Sequence, residues 1–410
     1  MKTRTQIKTD RFLGVFIAVL LNWLVRLLGK ILRIDHTLNK NFKTIAVCKF
    51  KGMGSIVQAT PLLQSLRRSF PDSTIVFVTT TANLQLLSKI PCIDRVVAIN
   101  DTSFFRLAGS STKALFALWK LHISVYLDLE IYSNFSSLIT TLSLARHRAG
   151  FYRQASHYRM GIYTHMMYYN IKAPISQVYL QFAHLLNCGQ ITESLYPLAV
   201  EPDNAFFNGL NLRDTKYLVV NPNASDLRIE RRWQKENFIQ LIASIRTRFP
   251  QLSVVLIGAP AESQHVADIS AAFAADTKVV DVAGKTQLDD LLCLLHHAEL
   301  LITNDTGPMH LAFALKTTTL ALFGPCSPAQ YGTHANCFTV YNNVYCSPCV
   351  HEFDIPPCKG NNQCMQTISV AQVYALLSAA LNHQQPEQHP NDAIVYSGIN
   401  HEVLGVAYRG

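Results

Sequence analysis

Short apolar runs rich in β-branched residues alternate with segments of helical periodicity along most of the chain. The first series of runs lies at 44–50, 74–79, 95–99 and 123–129, and the second at 217–220, 253–257, 278–282, 300–303 and 319–323. Nearly continuous apolar strands separated by helices are typical of parallel sheets that are covered on both faces. The pattern therefore predicts an α/β fold with two doubly wound, Rossmann-like domains that face a central cleft.

At 410 residues the chain is too long for one compact core, and its patterning divides it into four segments. A basic and apolar N-terminal segment covers 1–41, and the two predicted domains cover 42–200 and 216–382. A stretch with Pro and Asn near 197–215 marks the break between the domains. Residues 383–410 are polar and lack periodicity, so we expect a loose tail there.

The positive charge of the protein is concentrated at its N-terminus. The whole chain has 36 Lys and Arg against 27 Asp and Glu, a net charge of +9. Residues 1–51 hold eleven of the basic residues and two of the acidic ones, so the rest of the chain is balanced. A high isoelectric point often indicates nucleic-acid binding, but a neutral body argues against that partner. We therefore expect no nucleic-acid partner.

The N-terminal segment combines an apolar run with basic flanks. Residues 12–25 are apolar apart from Asn22, and Trp23 lies among them. The basic flanking residues are Arg11, Arg26, Lys30 and Arg33. Fourteen residues fall short of the ~20 that span a bilayer, and no small-residue cleavage site follows. We interpret the segment as a helix at the surface of an anionic membrane; the alternative is a helix packed on the body of the protein.

Four of the ten cysteines cluster in sequence, at Cys346, Cys349, Cys358 and Cys364. The first spacing suits a zinc knuckle or a redox pair, whereas the other spacings fit no standard zinc pattern. The remaining six are scattered, several in apolar runs where a thiol packs as a small hydrophobic group. Three interpretations of the cluster stay open: a structural metal site, a disulfide, or a reduced and packed loop. We assign no metal to the site chemistry.

A glycine-containing loop follows the first predicted strand and opens a helix. It contains Gly52, Met53, Gly54 and Ser55, in the place of a dinucleotide-binding fingerprint. The third glycine of that fingerprint is missing, and the next strand ends in threonines instead of the acidic residue that binds a ribose. This argues against a nicotinamide enzyme. The glycines still let a ligand approach the backbone closely, and the alternative is a simple tight turn.

The strongest local motif is the run 304–310 in the second series. A buried strand leads into Asp305, Thr306 and Gly307, and a proline then occupies the first position of a helix. The free amides and the dipole of such a helix start attract a phosphate, and His310 would lie one turn further on. The motif therefore predicts a phosphate-binding site.

A second polar cluster begins where the first strand of the second series ends. It covers 221–225 and continues through Arg231 and Arg232 to Trp233. Arginines at the carboxyl end of a strand can neutralise a diphosphate with directed donors. The alternative is a solvated loop with Trp233 in the core.

Together, these motifs resemble glycosyltransferase family 9, the lipopolysaccharide heptosyltransferase-like family, from about residue 44 to 382. The segments that carry the resemblance are 52–63, 128–136, 221–233, 281–286, 304–310, 322–325 and 346–349. The Asp-Thr-Gly-Pro-Met-His block at 305–310 is specific, whereas the glycine turn alone is a weak signal. The resemblance implies a GT-B fold and an inverting, metal-independent transfer, with a nucleotide-diphosphate-sugar donor in the second domain and the acceptor in the first.

The resemblance also implies roles for individual residues. Those expected to hold the diphosphate are Asp305, Thr306, Gly307 and His310, and those of the acceptor loop are Gly52, Met53 and Gly54. Arg231 stands where heptosyltransferases carry a phosphate-binding lysine, and Glu262 matches a carboxylate that holds the donor ribose. The resemblance implies no cofactor besides the donor, for which the family favours ADP-heptose.

One position departs from the family pattern. Heptosyltransferases have an aspartate after the glycine turn as the expected catalytic base, and Ser55 occupies that position here. A serine does not accept a proton at neutral pH without help. The nearest candidates are Asp128 and Glu130, because the carboxyl end of their predicted strand faces the same side as the glycine loop. We favour Glu130 for its longer side chain; the alternative is that both carboxylates cap neighbouring helix starts.

The sequence thus predicts a glycosyltransferase that builds lipopolysaccharide core or a related envelope glycan. Its expected partners are a nucleotide-sugar donor, a lipid-linked glycan acceptor and an anionic membrane surface. We expect a cytoplasmic protein, peripheral on the inner face of the inner membrane. Two alternatives stay open: a non-catalytic nucleotide-sugar-binding or assembly protein that has lost its base, and a nucleotide-sugar isomerase of the same fold.

Overall fold

The described part of the chain forms two compact units. A computed structural model describes residues 10–38, 41–210, 212–224, 228–350, 358 and 361–381. The first unit consists of the described residues within Met1–Asn170 and Ile175–Tyr196, and the second of those within Ile171–Pro174 and Pro197–Gly410. The tail that we expect at 383–410 lies outside the described residues.

The first unit is built around a six-stranded parallel sheet. Its strands are β1 (Thr44–Cys48), β2 (Thr74–Thr80), β3 (Arg95–Ile99), β4 (Val125–Asp128), β5 (His147–Tyr152) and β6 (His165–Tyr168). Its helices are α1 (Val15–Leu32), α2 (Met53–Gln58), α3 (Thr60–Ser69), α4 (Leu84–Leu87), α5 (Phe104–Leu121), α6 (Asn134–Leu142) and α7 (Ile175–Leu185). The strand order is β3-β2-β1-β4-β5-β6. Strands are thus added toward one edge of the sheet from β1 to β3 and toward the other edge from β4 to β6, and this order reverses between β1 and β4.

The second unit repeats this plan. Its strands are β7 (Tyr217–Asn221), β8 (Ser253–Leu256), β9 (Val279–Asp281), β10 (Leu300–Asn304), β11 (Thr319–Phe323) and β12 (Cys337–Tyr341). Its helices are α8 (Ala205–Gly209), α9 (Lys235–Arg248), α10 (Ser263–Ser270), α11 (Leu288–His297), α12 (Gly307–Leu315), α13 (Pro328–Tyr331), α14 (Gln363–Gln366) and α15 (Val370–Leu381). The order β12-β11-β10-β7-β8-β9 places the reversal between β7 and β10.

The central strands of both sheets are buried along their whole length, which explains their continuous apolar runs. Each predicted run corresponds to a strand, and the prediction of two doubly wound α/β domains is confirmed. Three strands were not predicted: β5, β6 and β12. β5 and β6 contain no β-branched residue, and β6 is only partly buried at the edge of its sheet, so neither shows the pattern of a buried strand.

The N-terminal helix is longer than the apolar run from which it was predicted. α1 has 18 residues, and by length and composition it could cross a membrane. The expectation that this segment is too short to span is therefore wrong, because the helix continues past Arg26 to Leu32. Most of its large apolar side chains are exposed.

Candidate functional site

The residues that we expect to carry chemistry lie where each sheet reverses its strand order. At such a reversal, the connections that follow two neighbouring strands pass to opposite faces of the sheet. This opens a crevice at the carboxyl ends of the strands. We call residues 49–55 and 128–130, after β1 and β4, the first switch point. Residues 221–223 and 304–307, after β7 and β10, form the second switch point.

Asparagine side chains connect the two loops of the second switch point. Asn221 Nδ2 donates a hydrogen bond to Thr306 Oγ1 at 2.8 Å. Asn304 Nδ2 donates to the carbonyl oxygen of Asn223 at 2.9 Å, and its Oδ1 accepts the backbone N–H of Trp233 at 3.1 Å. The Trp233 side chain itself is completely buried in the core. The start of α12 is therefore held at a fixed distance from the end of β7.

Arg231 and Asp305 form an ion pair at the second switch point. Arg231 Nη1 lies 3.5 Å from Asp305 Oδ2 and donates to the Asp305 carbonyl oxygen at 3.3 Å. Burial lowers the pKa of Arg231, but the neighbouring Cys326 and Asp305 outweigh burial and raise it. Among the described residues, Arg231 Nε and Asp305 Oδ2 are buried without a hydrogen-bond partner. The guanidinium is thus charged, and its buried Nε–H group has no hydrogen-bond partner within the described part of the chain.

His310 lies in the first turn of α12 and is buried beside this ion pair. Its ring packs at 5.7 Å from that of Phe313 and at 6.0 Å from that of Tyr331, measured between centroids. Burial lowers the pKa of His310 to about 4, and the Arg231 charge also lowers it, against the opposing effect of Asp305. His310 is therefore neutral near pH 7, so Arg231 supplies the positive charge next to it.

Glu262 follows β8, the neighbour of β7 on the other side. Its Oε2 accepts the backbone N–H of Ala259 at 2.8 Å and closes the short turn Pro260–Glu262. Gly258, just before this turn, permits a close approach, because a Cβ there would meet Asn223 Nδ2 at 2.8 Å. The structure thus brings Arg231 together with the run 305–310 and gives Glu262 a bond within its own turn.

Glu130 fixes the start of the glycine loop at the first switch point. Its Oε2 lies 3.0 Å from Lys49 Nζ, and its Oε1 accepts the backbone N–H groups of Phe50 and Lys51 at 2.8 and 3.0 Å. Burial raises the pKa of Glu130, but Lys49 and the two amides outweigh burial and lower it. Glu130 is therefore an ionised carboxylate that holds the backbone immediately before Gly52.

Asp128 is enclosed more completely than Glu130. Its Oδ2 accepts hydrogen bonds from Ser136 Oγ at 2.8 Å and from the Tyr163 hydroxyl at 2.7 Å, and Arg159 Nη2 lies 3.7 Å away. Its Oδ1 accepts the backbone N–H of Glu130 at 2.9 Å. Burial raises the pKa of Asp128, although Arg159 and these donors oppose it. The side chain joins β4 to α6 and to the segment before β6.

Ser55 lies in the first turn of α2, directly behind the glycine turn. Gly52 adopts φ +87°, the left-handed region that favours glycine, and a Cβ there would meet Ser55 Oγ at 3.1 Å. Met53 is partly buried and Gly54 is buried. Burial raises the pKa of the buried Tyr179 of α7, and the neighbouring Ser55 hydroxyl acts in the opposite direction. Ser55 thus has a phenol as its neighbour.

Sequence reasoning missed four residues of the first switch point and its surroundings: Lys49, Arg159, Tyr163 and Tyr179. Lys49 carried a usable signal, because a lysine within a run predicted to be buried requires a buried anionic partner. The other three lie at 159–179, far along the chain from the loops that they contact. No local pattern connects them to those loops.

The four clustered cysteines carry free thiols, as do the other six. Cys349 and Cys364 are buried, and Cys346 and Cys358 are partly exposed. Within the ranges that the structure describes, no group of three or more His, Cys, Asp and Glu side chains could hold a metal ion.

Comparison with known proteins points to one family. The model of glycosyltransferase family 9 (heptosyltransferase) matches residues 132–359. The lipopolysaccharide core heptosyltransferase OpsX of Haemophilus influenzae is 22% identical over 311 residues, which cover 73% of this chain and 85% of that protein. Lipooligosaccharide heptosyltransferase 2 of Campylobacter jejuni is 25% identical over 306 residues, covering 73% of this chain and 87% of that one.

Solved structures confirm the two-domain GT-B class of the fold. The structure of Escherichia coli ADP-heptose lipopolysaccharide heptosyltransferase II matches with a TM-score of 0.67 and 19% identity, and it covers 83% of this chain and 99% of that chain. The family 9 glycosyltransferase of Veillonella parvula matches with a TM-score of 0.68 and 20% identity, covering 85% of this chain and 100% of that chain. At these identities, the similarity concerns the fold.

Proposed function

Since this chain belongs to glycosyltransferase family 9, the heptosyltransferase family, we propose that it transfers heptose from a nucleotide-diphosphate donor to lipopolysaccharide core or a related envelope glycan. One observation carries this proposal: Arg231, Asp305 and the start of α12 meet at the second switch point. Charged and backbone donors at the carboxyl ends of parallel strands suit a diphosphate. The names of the relatives favour ADP-heptose as the donor and lipopolysaccharide core as the acceptor.

The second switch point would bind the diphosphate of the donor. Arg231 offers a charged and partly exposed guanidinium, and the amides at the start of α12 offer a positive helix end. In an inverting transfer, the acceptor hydroxyl attacks the anomeric carbon and the nucleoside diphosphate leaves. Arg231 and the helix start would stabilise the charge that develops on it without a metal ion. Glu262, close to the end of β8, would hold the ribose.

The first switch point would bind the acceptor and take its proton. The loop Gly52–Gly54 offers backbone to the acceptor, and Glu130 fixes that loop while keeping an ionised carboxylate beside it. We propose Glu130 as the base in preference to Asp128, which Ser136, Tyr163 and Arg159 enclose. Ser55 would orient the acceptor hydroxyl, since a serine is not basic enough to remove its proton.

The N-terminal helix would bring the enzyme to its acceptor. An apolar helix with basic flanks binds anionic membrane surfaces, and the acceptor core is linked to lipid. We therefore place the protein in the cytoplasm, on the inner face of the inner membrane. The exposed apolar side chains of α1 support this location.

A donor screen tests the proposed function. The intact protein is incubated with nucleotide sugars and a membrane extract, and released nucleoside diphosphate and labelled glycan are measured together. We expect release with ADP-heptose, with the label in the lipid-linked fraction, and strongly reduced release by Arg231→Ala. Arg213→Ala, an exposed arginine in the same unit, is the matched control and should be active.

The same screen distinguishes a second candidate function. Ser55 occupies the position of the family base, and the Glu130 carboxylate already binds Lys49 and two amides. Both observations favour a nucleotide-sugar-binding protein without turnover. That protein would bind the donor tightly and release no diphosphate, whereas an isomerase would alter the free donor with no acceptor present.

A further inference from the structure

The helix α1 exposes its large apolar side chains and turns its small ones toward the protein. The large exposed residues include Phe16, Leu20, Trp23, Leu27 and Ile31, with Phe16 71% and Trp23 69% exposed. Ala18 is only 2% exposed, and Gly14, Asn22 and Val25 are partly buried on the same side. A helix that packs on a soluble protein normally has its large apolar side chains inward. The outward face of α1 therefore fits an apolar environment better than it fits water.

The chain contacts the rest of the first unit just before α1, in the middle of α1 and just after it. Asp10, before the helix, accepts the backbone N–H groups of Asn134 and Phe135 at 2.9 and 2.7 Å. In the middle, Asn22 Oδ1 accepts the backbone N–H of Gly161 at 2.5 Å. After the helix, the carbonyl oxygen of Asp35 accepts from the Arg146 guanidinium at 3.2 Å. The helix therefore lies along the first unit, an orientation that suits the surface of a bilayer and not its crossing.

The first two contacts reach the segments that enclose Asp128. Asn134 and Phe135 begin α6, the helix whose Ser136 donates to Asp128. Gly161 lies between Arg159 and Tyr163, and both of these side chains contact Asp128. The N-terminal segment is therefore connected to the first switch point through two short paths.

The charge of Asp10 strengthens its contact with α6. An anion at the first turn of a helix satisfies amides that have no partner within the helix and complements the helix dipole. Burial raises the pKa of Asp10, but the two amides, Arg159 and Lys51 oppose that effect. Lys51 belongs to the first switch point, so Asp10 lies within electrostatic range of the glycine loop.

We propose that the N-terminal segment positions the first switch point. In this proposal, α1 lies flat in the surface of an anionic bilayer, and Asp10 and Asn22 hold the segments that enclose Asp128. Its partner is a lipid surface with negative headgroups, because the outward face is apolar and exposed cationic Arg26, Lys30 and Arg33 accompany it. This inference rests on the proposed transfer to a lipid-linked acceptor. Binding to the membrane and positioning of the acceptor loop would then be coupled.

Two glycines of the N-terminal segment provide a matched test in the full chain. A Cβ on Gly14 would meet Asn134 Cβ at 2.8 Å and Asp10 Oδ1 at 2.9 Å, whereas a Cβ on Gly29 would meet nothing within 4 Å. Gly14→Ala therefore disturbs the Asp10 contact and leaves the outward face unchanged. Gly29→Ala adds the same methyl group without a contact.

The experiment measures three properties of both variants and of the wild type on phosphatidylglycerol-containing vesicles. These are vesicle binding, hydrogen exchange of the Asn134 and Phe135 amides, and release of nucleoside diphosphate with lipid-linked acceptor. Both variants should bind vesicles within about twofold of the wild type, because the apolar face is intact. In Gly14→Ala alone, the two amides should exchange about tenfold faster and turnover should fall at least about tenfold.

Three results would overturn the proposal. The first is a Gly14→Ala variant whose amide exchange and turnover equal those of Gly29→Ala. The second is a wild type that does not bind the vesicles. The third is a concentration-dependent dimer in which α1 becomes protected, because a second copy would then cover the apolar face. A wild type without any diphosphate release refutes the proposed function instead, and the vesicle and exchange measurements still decide whether the segment docks as proposed.

Discussion

The ammonium group of Lys49 lies 3.0 Å from a carboxylate oxygen of Glu130, and the two side chains are buried at the start of the glycine loop. Replacing one partner leaves the other as a buried, unpaired charge, which costs about 3–5 kcal/mol. We therefore expect Lys49→Met to lower the free energy of unfolding by this amount in urea denaturation. Lys216 pairs with Glu299 at 3.2 Å on the surface, and Lys216→Met is the control that should change little. Equal effects of the two substitutions would contradict the role of burial.

The donor site predicts a loss of nucleotide affinity in two variants. Arg231→Ala removes a charge-assisted contact to the diphosphate, a change worth about 1.5–3 kcal/mol, or roughly 10- to 100-fold in Kd. His310→Ala removes a neutral hydrogen-bonding group and should cost less, about 0.5–1.5 kcal/mol. Calorimetry with nucleoside diphosphate measures both, and Arg213→Ala should bind like the wild type. Unchanged affinity in both variants would remove the donor assignment.

The proposed base predicts a difference between two neighbouring carboxylates. Glu130→Gln should reduce turnover by about 10²- to 10⁴-fold with donor affinity unchanged, because the proton acceptor is lost. Both substitutions leave a buried cation without its partner, Lys49 in Glu130→Gln and Arg159 in Asp128→Asn, so both should destabilise the first unit. Only Glu130→Gln should also lose turnover in the folded protein. Single-turnover kinetics and urea denaturation separate the two effects. If Ser55→Asp alone creates turnover in an otherwise inert protein, the binding-protein alternative is correct.

Two histidines with lowered pKa values, the buried His310 and the partly buried His334, predict a loss of stability in acid. Burial lowers the pKa of both His310 and His334 to about 4, from an ordinary value near 6.5. Both are therefore neutral in the folded protein. Their contribution to the free energy of unfolding is complete above about pH 6.5. It is lost as the pH falls toward 4, because the unfolded chain takes up protons first. The Tm should fall between pH 7 and pH 5, and His334→Phe should make this fall smaller. An identical pH dependence in the variant would exclude His334 as a cause.

The apolar face of α1 predicts salt-dependent binding to anionic vesicles. Trp23→Glu places a charge among the exposed apolar side chains and should weaken binding at least about tenfold. Phe105→Glu, at a more exposed aromatic residue of α5, is the control and should bind as the wild type does. Co-sedimentation at rising salt should show weakening, since surface attraction is screened over about 8–10 Å. Equal losses in the two variants would mean that α1 is not the membrane face.

Much of the fold could be predicted from local patterns. Buried parallel strands need continuous apolar residues, so β1 to β4 and β7 to β11 show in the sequence. Where the pattern is weaker, the prediction failed: β5 begins with His147 and Arg148, and its neighbour β6 is an edge strand. The length of α1 was underestimated because Arg26 interrupts the apolar run without ending the helix.

The sequence by itself determined the two strand series, the loops that follow them, the helix start at Gly307 and the concentration of charge at the N-terminus. These features depend on periodicity, turn chemistry and composition, which act between neighbours in the chain. Only the tertiary structure decided which side chains meet. Arg231 reaches Asp305 across 74 positions, Phe50 reaches Glu130 across 80, and Asp10 reaches Asn134 across 124. Such pairs, and the pKa values that they set, depend on how the sheets and helices pack, because burial and charge act through space and not along the chain.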